Sequence, residues 1–414
     1  MTSTAITNLS LCFSRPSVQS DTHDKAVIAS SSIPAHLPPN HILIQVDRFG
    51  FSANNITYQA LGEQPHFRYY DFHAAPETDT VSSKTHGLIP VWGFGSIIAS
   101  SVSKIIPGER IYGYLAPTRY LLVPVSPSDV NKHAFYVPRL HLPADRRPYN
   151  QIIRCAGDPE YTPSALGEDL TMLYRPLFWT AYWFEDWIFS VGYRGATAFL
   201  VSSASAKTAF CAAYLIGKRR AGGEANSNVK IIGLTSKKNM AFTKGLSLYD
   251  EVVEYGSFTS ALGREKWVYI DVAGSDDLNK RVFAHFQTLA SGELITSVAL
   301  GMTTLAPASE KATSLDWNTN TFEASSEIPQ LEQFFMVEWL NVRKHQLSLK
   351  EIFDRQHRAW ADLMVDCVLW VRLERVSGAD SVKRAYEKIA STGFSPDVGF
   401  IWSMWDDETA AAKL

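Results

Sequence analysis

Residues 196–216 read ATAFLVSSASAKTAFCAAYLI, in which an apolar run precedes small polar residues and then small and apolar residues. The apolar run is typical of a buried strand, and the residues from Lys207 onward are typical of a helix. The same alternation follows in VKIIGLTS at 229–236 and in KWVYIDVAG at 266–274, each with a helical pattern behind it. Strands that alternate with helices at this spacing predict an α/β fold with a doubly wound parallel sheet.

The residues before about 150 have a different pattern. HILIQVDRFGFS at 41–52 alternates apolar and polar residues, as a half-buried strand does. Further short strands, broken by Gly and Pro, are predicted in GLIPVWGFGSIIASSVS at 87–103 and RIYGYLAPTRYLLVPV at 110–125. The sequence therefore predicts a mostly β unit, which the polar stretch Arg154–Glu168 separates from the α/β unit.

The C-terminal part contains helical patterns again. A Ser/Thr/Ala-rich loop after Gly301 runs to Glu327, and helices are predicted within 330–346 and 349–370. We expect these helices to pack back onto the first unit. The predicted organisation is a β-rich domain formed by residues 1–165 and 306–414, and a parallel-sheet domain formed by residues 166–305.

Composition and charge narrow the class of protein. The chain has 414 residues, of which 46% are hydrophobic and 20% charged, as in a well-packed globular protein. Lys and Arg number 39 against 42 Asp and Glu, which gives a net charge of −3. No basic surface is therefore expected for nucleic acid or for an anionic membrane.

The cysteines indicate a reducing compartment. Cys12, Cys155, Cys211 and Cys367 lie far apart without CxxC spacing, so neither a disulfide framework nor a zinc site is predicted. No run approaches the roughly 18 apolar residues of a membrane span, and the polar N-terminus lacks the apolar core of a secretory signal. Its Ser and Thr content with Arg15 weakly resembles a transit peptide, but a cytoplasmic location is the main expectation.

The order of these units, with local matches, resembles the medium-chain dehydrogenase/reductase superfamily in its zinc-free quinone oxidoreductase-like and enoyl reductase-like branch. The matches are ILIQVDRFGFSANNITYQALGE at 42–63, LFWTAYWFEDWI at 177–188 and VKIIGLTSKKNMAFTKGLSLYDEVVEY at 229–255. The closing helical segments resemble a poorly characterised branch, known only as a domain of unknown function. The resemblance implies a GroES-like N-terminal domain, a Rossmann-type domain, C-terminal helices that return to the first domain, and a substrate cleft between the domains.

The turn after the first α/β strand is the candidate phosphate site. The glycines of a dinucleotide-binding turn are missing, but Ser203, Ser205, Lys207 and Thr208 offer hydroxyls and an ammonium at a helix start. Alternatively, the small residues only allow close packing of strand and helix. A triphosphate-binding loop is not predicted, because GxxxxGK[ST] is not satisfied.

The end of the second α/β strand favours NADP over NAD. An acid usually binds the ribose 2′-hydroxyl there, whereas this chain has Ser236, Lys237 and Lys238, which suit a 2′-phosphate. Both lysines could equally be solvated residues at a helix start. The resemblance implies that Tyr255 contacts the 2′-phosphate or the adenine side, although it is equally explicable as an ordinary edge tyrosine.

Two residues of the long helical pattern at 170–190 are further candidates. The resemblance implies that Thr180 hydrogen-bonds the nicotinamide carboxamide, and Arg175 could bind a phosphate or an acid. Each could equally be a buried, hydrogen-bonded polar residue.

No metal is expected. Zinc-dependent relatives carry a cysteine and a Gly-His-Glu sequence where this chain has Ser52–Asn55 and Trp92–Gly95. Carbonyl polarisation would then come from neutral donors, with Asn54, Asn55 and Thr57 as candidates and Tyr58 as the candidate proton source. The two asparagines also suit a turn for backbone reasons.

These observations predict a zinc-free, NADPH-dependent reductase of an activated double bond or quinone-like carbonyl in a small molecule. The alternative is a member of the same fold without redox chemistry, which isomerises, cyclises or rearranges its substrate, and the missing glycines favour it. A noncatalytic binding protein is a third possibility. A monomer or homodimer is expected, and a hydrolase is not, because no GxSxG motif is present.

Overall fold

The computed structural model describes the chain over residues 6–18, 26–65, 67–142, 148–224, 226–288, 292–302, 331–334 and 336–406. These residues group into two compact units. The first unit holds the described residues up to Leu173 and those from Gln356 onward, and the second holds those from Tyr174 to Arg355. The sequence prediction assigns all residues beyond 305 to the first unit, whereas the structure groups the described residues of 331–355 with the second.

Strands predominate up to residue 154. The elements are β1 (Thr7–Ser14), β2 (Ala26–Ser32), β3 (His41–Phe51), α1 (Ala53–Ala60), β4 (His86–Gly87), β5 (Val91–Ser100), β6 (Arg110–Leu115), β7 (Tyr120–Pro124), β8 (Ala134–Tyr136) and β9 (Gln151–Arg154).

Helices and strands alternate in the remainder of the chain. The elements are α2 (Ala165–Ser190), β10 (Ala198–Val201), α3 (Lys207–Ala221), β11 (Lys230–Thr235), α4 (Met240–Gly245), β12 (Glu251–Glu254), β13 (Lys266–Asp271), α5 (Asp276–Phe286), β14 (Glu293–Ala299), β15 (Glu332–Gln333), α6 (Met336–Gln346), α7 (Leu349–Asp366), β16 (Arg372–Ser377), α8 (Ala379–Thr392) and β17 (Val398–Ser403). Within the described ranges, no helix is both long enough and apolar enough to cross a membrane.

The second unit contains a six-stranded sheet in the order β12-β11-β10-β13-β14-β15, with every pair parallel. Its central strands are continuous apolar runs, because both faces of a parallel sheet are covered. Leu200, Ile232, Trp267 and Tyr269 are fully buried in this core. The chain proceeds outward from β10 on one side and from β13 on the other, so the predicted doubly wound sheet is confirmed.

The first unit is built on an eight-stranded sheet in the order β16-β17-β3-β5-β6-β9-β8, with β7 also paired to β3. The C-terminal strand β17 pairs antiparallel with β3, which places Phe400 opposite Phe51. The rings of Phe51 and Trp402 stack with centroids 4.2 Å apart. The predicted β-rich domain with a C-terminal return is therefore confirmed, and strands β16 and β17 take part in that return.

Helix α6 belongs to the second unit, which corrects the expectation that it packs on the first. Trp339 Nε1 donates to Asp186 Oδ2 of α2 at 2.7 Å, and Arg343 Nε donates to the same oxygen at 2.6 Å. Because Asp186 is only 6% exposed, its carboxylate needs a cation and hydrogen-bond donors in place of water. That requirement joins α6 to α2, and a helical pattern in the sequence cannot reveal it.

An ionic cluster ties the start of α2 to the sheet of the first unit. Arg110 Nε of β6 donates to Glu168 Oε1 at 2.9 Å, and Arg48 Nε of β3 donates to Asp169 Oδ1 at 2.8 Å. Arg375 Nε of β16 donates to Asp169 Oδ2 at 3.0 Å. Breaking one partner of such a buried pair typically costs about 3–5 kcal/mol, so this cluster fixes three strands against one helix start.

Candidate functional site

The strand order of the parallel sheet reverses between β10 and β13, and polar side chains lie where these strands end. Ser202 Oγ, directly after β10, donates to Asp271 Oδ1 at 2.9 Å. It also accepts hydrogen bonds from the backbone amides of Val272 and Ala273, each at 2.9 Å. Ligands of open α/β sheets bind at such a reversal point. The hydrogen bond between Ser202 and Asp271 therefore joins the ends of β10 and β13 at the reversal point.

Asp271 is part of a buried polar network that sequence reasoning missed. Its Oδ2 accepts from Asn279 Nδ2 at 2.8 Å, and its Oδ1 accepts from the Gly274 amide at 2.9 Å. Asn279 Oδ1 in turn accepts from the hydroxyl of Tyr269 at 2.8 Å. The carboxylate is therefore engaged by the protein itself, and it serves as a framework for the turn that follows β13. The only sequence signal for it is a polar residue at the end of an apolar strand.

The turn between β10 and α3 is closed by two tyrosines. Ser203 has a φ of 50°, in the region that glycine favours. Its backbone amide donates to the hydroxyl of Tyr255 at 3.0 Å. The hydroxyl of Tyr249 donates to the carbonyl oxygen of Ala204 at 2.8 Å. The predicted residues Ser203 and Tyr255 are thus brought together, and they are bonded to each other.

Ser205 faces the end of the second strand. It is 8% exposed, and its Oγ accepts from Asn239 Nδ2 at 3.0 Å and lies 3.4 Å from Thr235 Oγ1. Ser236 immediately precedes the short helical turn 237–239, in which Lys237 and Lys238 are exposed. The structure therefore brings the two predicted phosphate-binding segments side by side at one end of the sheet.

Helix α3 begins in this turn without a side-chain cap. Its N-cap residue, Ala206, makes no capping hydrogen bond, and Lys207 and Thr208 in the first turn are half-buried. The amides at the start of a helix carry a partial positive charge and suit an anionic oxygen. The local geometry accordingly fits a phosphate, although part of the turn is occupied by Tyr255.

Close packing also accounts for the small residues of the turn. A Cβ added at Gly233 of β11 would lie 2.8 Å from Ala204 Cβ and 2.9 Å from the ring of Tyr249. The glycine that permits close approach therefore lies on β11, and Ala204 fills the space beside it. Both interpretations of the turn, phosphate site and packing contact, have a structural basis.

Thr180 and Arg175 lie on α2. The Thr180 hydroxyl donates to the carbonyl oxygen of Pro176 at 3.1 Å, one turn earlier in the same helix. Arg175 is 9% exposed. Thr180 is thus already hydrogen-bonded inside its own helix, and a carboxamide would have to share or replace that bond.

The catalytic candidates of the first unit lie on α1, which begins after Ser52. Asn55 Oδ1 accepts from the Ser52 amide at 2.9 Å, and Asn55 Nδ2 donates to the carbonyl oxygen of Pro90 at 3.0 Å. Asn55 is 2% exposed, so its amide caps the helix and binds a neighbouring strand connection. Asn54 instead bonds to the Ser52 hydroxyl and donates from Nδ2 to Tyr58 Oη at 3.1 Å.

Tyr58 is buried in an aromatic cluster. Its ring centroid lies 4.5 Å from that of Tyr69 and 5.6 Å from that of Tyr114. Burial raises the pKa of Tyr58 well above its usual value, and the charge of Tyr149 acts in the same direction. The hydrogen bond that Asn54 donates to the Tyr58 oxygen opposes that increase in pKa. The hydroxyl therefore stays protonated at neutral pH and can serve as a donor.

No group of three or more His, Cys, Asp or Glu side chains that could hold a metal ion occurs among the residues that the structure describes. The two segments that the resemblance aligns with zinc ligands are Ser52–Asn55, at the start of α1, and Trp92–Gly95, in β5. Their side chains do not include a thiolate, imidazole or carboxylate.

Solved structures with a similar fold cover nearly the whole chain. The quinone oxidoreductase from Coxiella burnetii is 13% identical, with 96% of this chain and 99% of that chain covered and a TM-score of 0.51. CurA from Vibrio vulnificus in complex with NADPH is 12% identical, with 95% and 98% covered and a TM-score of 0.51. A variant of Etr1p in complex with NADP and crotonyl-CoA is 14% identical, with 97% and 100% covered and a TM-score of 0.52.

These likenesses confirm the resemblance at the level of the fold. No curated protein matches the chain. A family model described as a protein of unknown function, DUF2855, matches residues 49–394. With most of its length matched by that model, the chain belongs to the DUF2855 family.

Proposed function

We propose that the protein is an NADPH-dependent, zinc-free reductase of an activated double bond or quinone-like carbonyl in a small molecule. The observation that carries this proposal is the reversal of strand order between β10 and β13, with the uncapped start of α3 directly after β10. Ligands of open α/β sheets bind at such a reversal. The similarly folded quinone oxidoreductase and the NADPH and NADP complexes of CurA and Etr1p support the same choice.

NADPH would be held through its phosphates by the second unit. The amides of the first turn of α3, with the side chains of Ser203, Ser205, Lys207 and Thr208, would bind the pyrophosphate. The Tyr255 hydroxyl now accepts a hydrogen bond from the Ser203 amide. On cofactor binding, a phosphate oxygen would replace the hydroxyl as the acceptor, or would bind beside it.

The 2′-phosphate would lie against Ser236, Lys237 and Lys238. Both lysines are exposed and follow the second strand, and none of these three residues is acidic. A 2′-phosphate gains charge-assisted hydrogen bonds from such donors, whereas NADH has only a neutral hydroxyl there. The proposal therefore includes a preference for NADPH over NADH.

When bound, NADPH supplies a hydride to the activated carbon of the substrate. Tyr58 would donate a hydrogen bond, and then its proton, to the substrate oxygen on which negative charge develops. Its raised pKa keeps the hydroxyl protonated until that charge appears. Asn54, which donates to the Tyr58 oxygen at 3.1 Å, would orient the hydroxyl and stabilise the phenolate that remains.

A second function has one specific observation in its favour. The Ser203 amide, which would face a pyrophosphate, is already bonded to Tyr255, and the turn has no glycine. A member of this fold that isomerises or cyclises its substrate would have no need to open that bond. Such an enzyme would retain the Tyr58 hydroxyl as an acid and would consume no NADPH.

NADPH oxidation with small enals, enones and naphthoquinones tests the proposal. We expect the protein to accelerate the loss of NADPH absorbance with at least one of these classes, and Tyr58→Phe to lower kcat by about a hundredfold. Tyr120→Phe, a half-buried tyrosine on β7, is the matched control and should leave kcat unchanged. Turnover of a substrate to an isomer, without loss of NADPH, would instead establish the second function.

A further inference from the structure

One buried arginine of the first unit has no acidic partner among the residues that the structure describes. Arg139 is 6% exposed. Its Nε donates to the carbonyl oxygen of Phe72 at 2.9 Å, and its Nη1 donates to Asn150 Oδ1 at 2.9 Å. Its Nη2 lies 3.3 Å from His73 Nε2, and its guanidinium carbon lies 5.1 Å from the centroid of the Phe72 ring. All of these partners are neutral groups.

Two half-buried arginines of the same unit are, in contrast, paired with acids. Arg110 binds Glu168, and Arg48 binds Asp169. Among the residues that the structure describes, no carboxylate lies within ion-pair distance of Arg139. Burial lowers the pKa of Arg139 to about 10, which still leaves it charged at neutral pH. A buried, charged group without a counter-ion is costly, and an anion supplied by a ligand would offset that cost.

The neighbouring His73 carries no charge that would alter this balance. His73 Nε2 lies 3.0 Å from the carbonyl oxygen of Tyr114. Burial, with the neighbouring Arg139 charge, lowers the pKa of His73 to about 3. His73 is therefore neutral at physiological pH, and Arg139 is the single charge that a ligand would meet at this place in the described part of the chain.

Two further hydrogen-bond donors of the same cluster have no acceptor at hydrogen-bond distance in the described part of the chain. Tyr114 is 1% exposed, and its Oη has no partner at hydrogen-bond distance. Trp92 Nε1 is likewise buried without a partner, and the Trp92 and Tyr114 rings lie 5.0 Å apart. Tyr114 partly opposes the lowering of the Arg139 pKa by burial, and its ring meets that of Phe72 edge-on, with centroids 5.1 Å apart. Within the described ranges, the cluster thus offers unsatisfied donors and a cation but no acidic acceptor.

Aromatic rings surround these donors. Tyr149 lies 5.0 Å from Tyr114 and 6.2 Å from Trp92, measured between ring centroids. Trp92 and Tyr149 are half-buried, whereas Tyr58 and Tyr114 are buried, so the first two form the accessible side of the cluster. Flat aromatic walls favour a planar, conjugated ligand, because rings and conjugated systems stack on one another.

We propose that the cluster of Tyr58, Trp92, Tyr114, Tyr149 and Arg139 binds a planar conjugated molecule through an anionic oxygen, a carboxylate or an acidic enol. Arg139 and Tyr114 bind that oxygen, and the rings hold the conjugated part. The substrate class rests on the proposed reductase function, for which Tyr58 is the proton source. The binding site itself is independent of the cofactor, and it makes Arg139 and Tyr114 specificity-determining residues.

Calorimetry with trans-cinnamate and its neutral amide, trans-cinnamamide, tests the proposal in the absence of NADPH. We expect the wild type to bind cinnamate about tenfold more tightly than cinnamamide, since a charge-assisted contact is lost with the amide. Arg139→Gln should abolish that difference by weakening cinnamate alone. Arg372→Gln, the same change at an arginine with a 65% exposed side chain in the same unit, should leave both affinities unchanged.

Equal affinities of the wild type for the two probes, or undiminished cinnamate binding by a folded Arg139→Gln variant, would overturn the proposal. If Arg139→Gln does not fold, Tyr114→Phe decides, because it keeps the ring and removes only the hydroxyl. Tyr114→Phe should weaken cinnamate about fivefold, in line with the loss of one hydrogen bond, and an unchanged affinity contradicts the site. Cinnamate binding with no NADPH oxidation on any substrate would refute the reductase but support the anion site.

Discussion

The hydroxyl of Tyr255 accepts a 3.0 Å hydrogen bond from the backbone amide of Ser203, in the turn where a dinucleotide-binding protein presents its amides to phosphate. Ser203 adopts a φ of 50° in this turn, a conformation that glycine adopts more readily. The tyrosine therefore satisfies an amide that would otherwise face solvent or a ligand. A purely structural role requires this bond to persist, whereas phosphate binding requires the Ser203 amide to be available to the cofactor.

The variant Tyr255→Phe distinguishes the structural role of the hydroxyl from a role in cofactor binding. We expect the free energy of unfolding to fall by about 1 kcal/mol, because one hydrogen bond is lost while the ring remains. NADPH affinity should be maintained or improved, since the Ser203 amide becomes available to phosphate. Chemical denaturation and calorimetry measure the two quantities. Weakening of NADPH binding by more than about tenfold would instead assign the hydroxyl itself to the cofactor.

Enlarging Ala204 tests the packing of the same turn. Because a Cβ at Gly233 would lie only 2.8 Å from Ala204 Cβ, there is no room for added methyl groups. Ala204→Val should destabilise the protein by about 1–3 kcal/mol, as overpacked cores do. Ala221→Val, at the exposed end of α3, is the control and should cost only a few tenths of a kcal/mol, about the difference in helix propensity. Equal effects of the two changes in thermal unfolding would show that the turn is not tightly packed.

His73 predicts a specific dependence of stability on pH. Its pKa is lowered to about 3 in the folded protein by burial and by Arg139, against 6.5 for the free side chain. A histidine of lowered pKa contributes stability that is fully present above 6.5 and is lost as the pH falls toward 3. Between these limits the free energy of unfolding of the wild type should fall by up to about 1.4 kcal/mol more per pH unit than that of His73→Asn. That slope corresponds to one additional proton bound by the unfolded state. Parallel stability curves for the two proteins between pH 7 and pH 4 would refute it.

Prolonged chelation should leave activity and NADPH affinity unchanged. The described residues contain no cluster of ligands for a metal ion, and the two segments that correspond to zinc ligands hold no His, Cys, Asp or Glu. Elemental analysis of the purified protein provides the direct check. Stoichiometric zinc, or a loss of activity that added zinc restores, would contradict the argument.

The parallel sheet could be predicted from the sequence because its signals are local. The run ATAFLV and the segment VKIIGLTS contain strands β10 and β11, and small residues or turn residues follow each of them. The sequence does not predict the strand pairing at the C-terminus, since β17 pairs with β3 across about 350 residues of chain. A helical pattern likewise cannot show which unit holds α6, because its partner Asp186 is distant in sequence.

The candidate sites also differ in whether their residues are close together or far apart in the sequence. Ser203, Ser205 and Lys207 lie within five residues of sequence, so their common position in one turn could be inferred from spacing alone. The cluster around Tyr114 could not, because Arg139, His73 and Trp92 come from separate strands and loops and carry no motif. Only the folded chain shows that, among the described residues, Arg139 is buried without an acid and the Tyr114 hydroxyl has no acceptor.

A calorimetric titration of the wild type with NADPH and with NADH tests the central claim most directly. We predict that NADPH binds at least about tenfold more tightly, because charge-assisted hydrogen bonds from Ser236, Lys237 and Lys238 are each worth about 1.5–3 kcal/mol. The double variant Lys237→Ala/Lys238→Ala should lose most of that preference and retain its affinity for NADH. Equal affinity of the wild type for the two cofactors, or no binding of either at millimolar concentration, would contradict the account of this protein as an NADPH-dependent reductase.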